Sequence, residues 1–304
     1  MADAHMTDAT VIGAGVMGSA VTRACRAAGL SVTVWNRTPV RVPGGAGIAS
    51  DLAEALRSSP VLVLCLLNYA VTREVLEPVR PELDGRLVVQ TASGVPSQVP
   101  TLATWVEAAG GRYLEAAILN YPQAVGTEHC FTVYGGAERD YQEIGPVVAA
   151  LGGTATYLGA DPAYVKAYHT VSAAYYYSIV NGLLECAAIA TACGVPLEEF
   201  AKSIPMYDPG LRSTIDVGVE LMRRGDYGYE QAPLTTHIDI LRNLAVLADE
   251  ARVDHSFFSV LRDRVQRALE KGYRREHVAV VYEQFREPDG HRERAATLPT
   301  ETPA

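Results

Sequence analysis

The apolar positions in the first half of the chain come in short runs separated by longer amphipathic stretches. "ATVIGAG" is a β-rich run that enters a glycine turn. "VMGSAVTRACRAAGL" behind it has helical spacing, with a stop signal at Gly29. "SVTVW", "PVLVLCLL", "RLVVQTA" and "RYLEAAI" read as further strands, with "FTVYGG" and "TATYLG" after them. Helical segments such as "SDLAEALRSS" and "VPTLATWVEAAGG" lie between. Strand and helix in alternation predict a mostly parallel sheet covered on both faces. The unbroken apolar character of "VLVLCLL" suits a central strand buried on both sides.

The pattern changes at Asp161-Pro162, a strong helix start: Asp caps the free N–H groups and Pro suits the first helical position. The next strong stop is Gly194, with Pro196 beyond it. Between them run roughly 31 residues, or about 47 Å of helix. Only Lys166 and Glu185 are charged in that span. A helix apolar nearly all round is buried nearly all round. The helical segments from about Leu197 to Gln284 are too few to wrap so long a rod, so a second subunit is expected to cover part of it. A large one-chain bundle is the alternative. The expected fold is an α/β Rossmann domain over residues 1–160, then an all-α domain on the long interdomain helix over 161–290. The polar, Pro-containing stretch 291–304 reads as a flexible tail.

Composition narrows the class. Of 304 residues, 48% are hydrophobic and 20% charged, the balance of a globular chain. The net charge of −9 argues against nucleic acid or anionic lipid as a partner. No uninterrupted apolar run is long enough to span a bilayer. The opening "MADAHMTDATVIGAG" lacks a signal-peptide core, and the five cysteines show no C-x-x-C pair. Buried free thiols in a reducing cytoplasm are the expectation. The seven histidines show no metal-ligand spacing.

Candidate chemistry starts at Gly13-Ala14-Gly15-Val16-Met17-Gly18. This G-x-G-x-x-G string follows a strand and opens a helix, the context that the dinucleotide fingerprint requires. Gly13 would make the tight turn, and Gly15 would let the backbone approach a pyrophosphate held by N–H groups at the helix start. Gly18 would let helix and strand pack closely. At the end of the second strand an NAD site carries Asp or Glu for the ribose hydroxyls. Here stand Asn36, Arg37 and Thr38, with Arg41 further on. No acid repels a 2′-phosphate, and the arginines can bind one, so NADPH is the expected coenzyme. Leu66 and Leu67, after the strand "PVLVLC", complete the candidate coenzyme contacts.

On the long helix, "VKAYHTVSAAYYYSIVNG" holds Lys166, His169 and the tyrosines Tyr175, Tyr176 and Tyr177. Ala173 and Tyr176 lie within about 40° of His169 round the helix, and Tyr177 about 80° away. Lys166 lies one turn earlier on the flank of that face and reads as a snorkelling surface lysine. Tyrosine runs at helix centres are ordinarily core or interface, and buried histidines ordinarily structural.

The order of these parts, with the stretches "VIGAGVMGSAV", "VTVWNRT", "VQTASGVP", "YLEAAILNYPQAVGT" and "YLGADPAYVKAYHTVS", resembles the imine reductases and reductive aminases of the β-hydroxyacid dehydrogenase superfamily over roughly residues 8 to 288. The resemblance implies a domain-swapped homodimer and a nicotinamide ring near Ser93. Tyr121, Pro122 and Gln123 stand where the dehydrogenases carry a glycine-rich loop for a substrate carboxylate. The dehydrogenases' catalytic lysine is followed four residues later by asparagine; Lys166 is followed at that spacing by Thr170. The family's Asp or Tyr that serves the substrate nitrogen falls on His169, and a second aromatic on Tyr177. Near "MYDPGLRST" an aromatic wall is implied, for which Met206 and Tyr207 are substitutes. His237 would line the far wall, with inert burial an equal alternative.

The expected activity is therefore NADPH-dependent transfer of hydride to the carbon of a C=N bond in a small-molecule substrate. His169 or Tyr177 would orient or protonate the nitrogen. Carbonyl reduction and a silent NADP-binding homologue are the rivals. Arg37→Ala is expected to raise the KM for NADPH roughly ten- to a hundredfold while leaving that for NADH nearly unchanged. Equal effects in steady-state assays with the two coenzymes would overturn the assignment.

Overall fold

The strand and helix alternation folds as β1 (Ala9–Ile12), α1 (Val16–Ala27), β2 (Val32–Trp35), β3 (Gly47–Ile48), α2 (Leu52–Arg57), β4 (Val61–Leu64), α3 (Tyr69–Leu76), β5 (Leu87–Gln90), α4 (Val99–Glu107), β6 (Arg112–Ile118), β7 (Phe131–Gly136), α5 (Glu138–Glu143), α6 (Gly145–Leu151) and β8 (Thr154–Tyr157). The computed structural model describes residues 6–39, 45–228 and 232–286. Among these, the strands form a sheet of order β3-β2-β1-β4-β5-β6-β7-β8. Its ladders are parallel except that of β6 with β7. The two-residue β3 was not legible as a strand, because so short a pairing leaves no period to read.

The central strands divide their side chains between two cores. Val61 and Val63 of β4 join Val11, Val34 and Val89 on the face covered by α1 and α6. Leu62 and Leu64 join Ile12, Val88 and Tyr113 on the face covered by α2 and α4. That alternation, apolar on both sides, is why "VLVLCLL" shows no polar position.

α7 (Pro162–Ala192) is a single helix of 31 residues. Asp161 caps it, its Oδ1 accepting from the Ala163 N–H at 2.9 Å. The chain divides into two compact units, Met1–Tyr176 and Tyr177–Ala304, and the division falls within α7. At its start α7 contributes Val165 to a small core with Ala117 and Val133. Further on, its apolar side chains are open to solvent in the single chain: Val171 is 70% exposed, Tyr177 66% and Leu184 64%.

The second unit continues with α8 (Leu197–Ser203), α9 (Asp208–Arg224), α10 (Leu234–Ala251), α11 (Ser256–Glu270) and α12 (Glu283–Arg286). Leu221, Leu234, Ile238, Val265 and Val280 form its core. Within this unit Glu185 of α7 accepts from the Phe257 and Phe258 N–H groups at the start of α11. Stretch 291–304, expected as a tail, lies outside the described residues. No helix among the described residues is long and apolar enough to cross a membrane. All five cysteines are free. Cys193 departs from the expected burial: it is exposed just past the end of α7.

His277 is buried in the helical unit, and its Nδ1 accepts from the Ala279 N–H at 3.1 Å. Burial, then the nearby charge of His237, holds it below the usual histidine range, and burial does the same for His237. Both are thus neutral in the folded state and titrate normally when unfolded. Below about pH 6.5 the unfolded chain binds more protons, so stability present above that pH is lost as pH falls. Urea unfolding is expected to show a lower midpoint at about pH 5.5 than at about pH 7.5. His277→Asn keeps an acceptor for Ala279 but cannot titrate there, and should show a smaller drop.

Candidate active site

The turn between β1 and α1 is built so tightly that two of its glycines admit no side chain. Gly13 has φ +96°, and a Cβ there would lie 2.5 Å from the Cys65 carbonyl oxygen. A Cβ on Gly18 would lie 1.8 Å from the Gly13 carbonyl oxygen. These contacts seat α1 directly on the strand ends. Gly15 differs: a Cβ there would meet no atom within 4 Å, and its backbone is exposed. No packing contact demands glycine at this position; a glycine here leaves the backbone open to close approach by a ligand. Gly15 also offers no side-chain cap to α1, whose first turn holds the exposed Val16 and half-buried Met17. A dinucleotide pyrophosphate fits these features.

Around the turn, Asn36 is already engaged. Its Oδ1 accepts from the Ala14 N–H at 2.9 Å, and its Nδ2 donates to the Thr38 carbonyl oxygen at 2.9 Å. Asn36 thus ties the end of β2 to the glycine turn. Arg37 and Thr38 are exposed beside it, while Arg41 lies outside the described residues. Leu66 packs against Gly13, and Leu67 is exposed. Cys65 lines the same turn, but burial pushes its thiol up to about 11, so it is no nucleophile.

Ser93 is exposed in the loop after β5 and pairs with Asn68 through a parallel β-bridge. Asn68 in turn caps α3, its Oδ1 accepting from the Val71 N–H at 2.9 Å. The next residue, Tyr69, presses its ring against Gly94, where a Cβ would lie 2.3 Å from the ring. The loop is therefore held from beneath by the start of α3.

Below it lies a buried polar cluster that overturns the surface reading of Lys166. Lys166 and Glu115 both have no exposed side-chain area, and Nζ lies 2.9 Å from Glu115 Oε1. Lys166 also donates to the Ala116 carbonyl oxygen at 3.0 Å. Tyr69 donates to Glu115 Oε2 at 2.7 Å, and Tyr113 donates to the same oxygen. Burial raises the Glu115 carboxyl, opposed by Lys166 and the two phenols. Burial and the Glu115 charge raise both tyrosines, so they remain donors. Breaking such a pair by removing one partner typically costs about 3–5 kcal/mol. The one available sequence signal was Glu115 itself, an acid inside the apolar strand "YLEAAI", which requires a partner.

His169 lies one turn beyond Lys166 and is half-buried. Its Nδ1 is buried with no hydrogen-bond partner. Burial, then the Lys166 charge, holds the ring below the usual histidine range, so it is neutral near pH 7. Tyr121 and Tyr176 are joined by hydroxyls 2.9 Å apart, with rings edge to face at 6.3 Å. Pro122 is half-buried next to this pair. The remaining candidates belong to the second unit. Tyr177 is exposed on α7; Met206 and Tyr207 are exposed on the short turn between α8 and α9; His237 is half-buried in the first turn of α10. Among the described residues no group of three or more His, Cys, Asp or Glu side chains is placed to hold a metal ion.

The fold and the glycine turn define a dinucleotide-binding protein with a helical C-terminal unit. Residues 8–159 match the NAD binding domain of 6-phosphogluconate dehydrogenase, and residues 161–287 the NADPH-dependent reductive aminase-like C-terminal domain. The chain belongs to the imine reductase and reductive aminase family. It is 24% identical over 284 residues to an NADPH-dependent reductive aminase of Aspergillus oryzae, covering 91% of this chain and 96% of that one. An imine reductase structure from Pseudomonas sp. superimposes with TM-score 0.86 at 27% identity, covering 92% of this chain and 100% of that one. A reductive aminase of Aspergillus terreus, solved in complex with NADPH4, cyclohexanone and allyl amine, gives TM-score 0.85 at 27% identity, covering 92% and 99%.

The two kinds of glycine separate by mutation. Gly15→Ala is expected to leave thermal stability unchanged and to weaken NADPH binding by about tenfold or more, read by calorimetric titration. Gly18→Ala forces α1 off the turn and is expected to lower the Tm by about 5 °C or more.

Proposed function

We propose that this chain is an NADPH-dependent imine reductase that acts on the C=N bond of a small imine or iminium. The observation that carries the reading is local. One unit holds both a glycine turn left open at Gly15 and, at the start of α7, an uncharged, half-buried His169 with an unpartnered nitrogen. The C-terminal half of the same chain matches the reductive aminase-like domain. When bound, NADPH supplies the hydride that reduces the C=N carbon.

The chain's own residues bind, orient and hold protons. Gly13, Gly15 and Gly18 let the backbone meet the pyrophosphate, and Asn36 braces the turn from β2. Arg37, Thr38 and Arg41 receive the 2′-phosphate, and Leu66 and Leu67 flank the coenzyme. Ser93 stands beside the nicotinamide. His169, being neutral, accepts a hydrogen bond from an iminium N–H without repelling its charge, or donates one to a neutral imine. Tyr177, farther along the same helix, is the other proton donor. Tyr121, Pro122 and Tyr176 are the substrate-pocket candidates of the first unit, and Met206, Tyr207 and His237 those of the second. Lys166, sealed beneath Glu115, is not available as the acid/base of a hydroxyacid dehydrogenase.

The working unit in this reading is a domain-swapped homodimer, in which a second copy covers the apolar face that α7 exposes in the single chain. Residues 1–160 carry the coenzyme, and 161–290 the substrate wall and dimer contacts. Five free thiols suit the reducing cytoplasm.

The test is NADPH consumption with a small cyclic imine, a ketone and a β-hydroxy acid as separate substrates. Only the imine is expected to turn over. His169→Ala should lower kcat/KM by roughly 10²–10³, with Tyr177→Phe giving a smaller loss. Turnover of the ketone alone, or tight NADPH binding with no imine reduced, would defeat the reading. Light scattering that finds an active monomer would defeat the dimer.

A further inference from the structure

Glu115 gathers partners from three elements: Tyr69 of α3, Tyr113 of its own strand β6, and Lys166 of α7. Each partner leads to a different part of the candidate site. Tyr69 backs Gly94, and its neighbour Asn68 bridges Ser93. Lys166 leads along α7 to His169, one turn away. Close packing here would be served as well by apolar side chains of similar volume, and a buried ion pair is a poor means of adding stability. A pair kept at this junction therefore points to a role in the chemistry above it.

We propose that Lys166, anchored by Glu115, is a positioning residue for imine reduction: it pins the α7 turn that bears His169 to β6 and, through Glu115 and Tyr69, to the loop that bears Ser93, and holds a positive charge one turn from the imidazole. The proposal rests on the imine reductase reading of the site. The charged and titratable groups around this turn are few. Lys166 and Tyr168 come from α7, with Tyr176 further along bonded to Tyr121. Glu115 and Tyr113 come from β6 and Tyr69 from α3. β7 and the segment after β8 present Val133, Phe131 and Leu158, which carry no charge. Of the charges gathered here, that of Lys166 bears on His169, adding to the effect of burial. The site then favours a protonated substrate nitrogen as donor and the neutral ring as acceptor. Without the lysine charge only burial would oppose protonation, and the ring would take up the proton more readily as pH falls and repel the iminium.

The test compares variants whose effects on His169 have opposite signs. Lys166→Met combined with Glu115→Gln removes both charges at nearly constant volume. It should raise the titration midpoint of His169. Glu115→Gln alone leaves the Lys166 charge unbalanced and should lower it. Lys166→Arg keeps the charge and should hold it near the wild-type position. The readout is NMR titration of the full-length protein labelled at histidine Cε1, with the His169 signal identified by its loss in His169→Asn. The acid limb of kcat/KM for a cyclic imine should move in the same directions, so that the double variant loses rate at a higher pH than the wild type. A merely structural pair would shift both charge variants alike or neither, and that result overturns the proposal. The NMR titration needs no substrate. If it behaves as expected while no imine is reduced, the imine reductase reading fails and the electrostatic one stands.

Discussion

A carboxylate with no exposed surface cannot stay charged alone, and Glu115 shows what that constraint builds. Four side chains on three elements are brought to one point to satisfy it. Because Tyr69 also backs the Ser93 loop and Lys166 also starts the His169 turn, meeting one acid's demand sets the spacing of two candidate site residues. The cluster sits on β6, where Glu115 stands in register with Gln90 at the end of β5. The strand ends, the Ser93 loop and the first turns of α7 thereby share one support.

The coenzyme end of the site rests on a different kind of constraint, excluded volume. Gly13 and Gly18 are required by the backbone they touch, and Asn36 converts the adjacent strand end into a strut. Only Gly15 is free of such demands. A site in which the surrounding glycines serve packing and the central one serves access is rigid where it must hold shape and open where a ligand must enter.

α7 carries the opposite imbalance. Its first turns are sealed into the sheet unit, yet Tyr177, Leu184 and their neighbours face solvent in the single chain. Apolar surface of this extent on one helix is what the proposed second copy would cover.

Seven of the eight strands, the glycine turn and the bounds of α7 were legible in the sequence, because each is a local matter: period, turn chemistry and capping act over a few residues. The candidate residues on these elements, from Gly13 to His169, were legible for the same reason. What the tertiary structure decided was partnership. Lys166 looked like a surface lysine because nothing near it in sequence could neutralise it; its counter-ion lies 51 positions away by residue number (166 against 115) on another element. Asn36 stood in the sequence only as a polar residue at the end of the second strand; that its amide ties Ala14 to Thr38 is a tertiary fact. Local pattern dictates backbone form, but burial and charge pairing depend on which distant elements meet, and only the packed chain sets that.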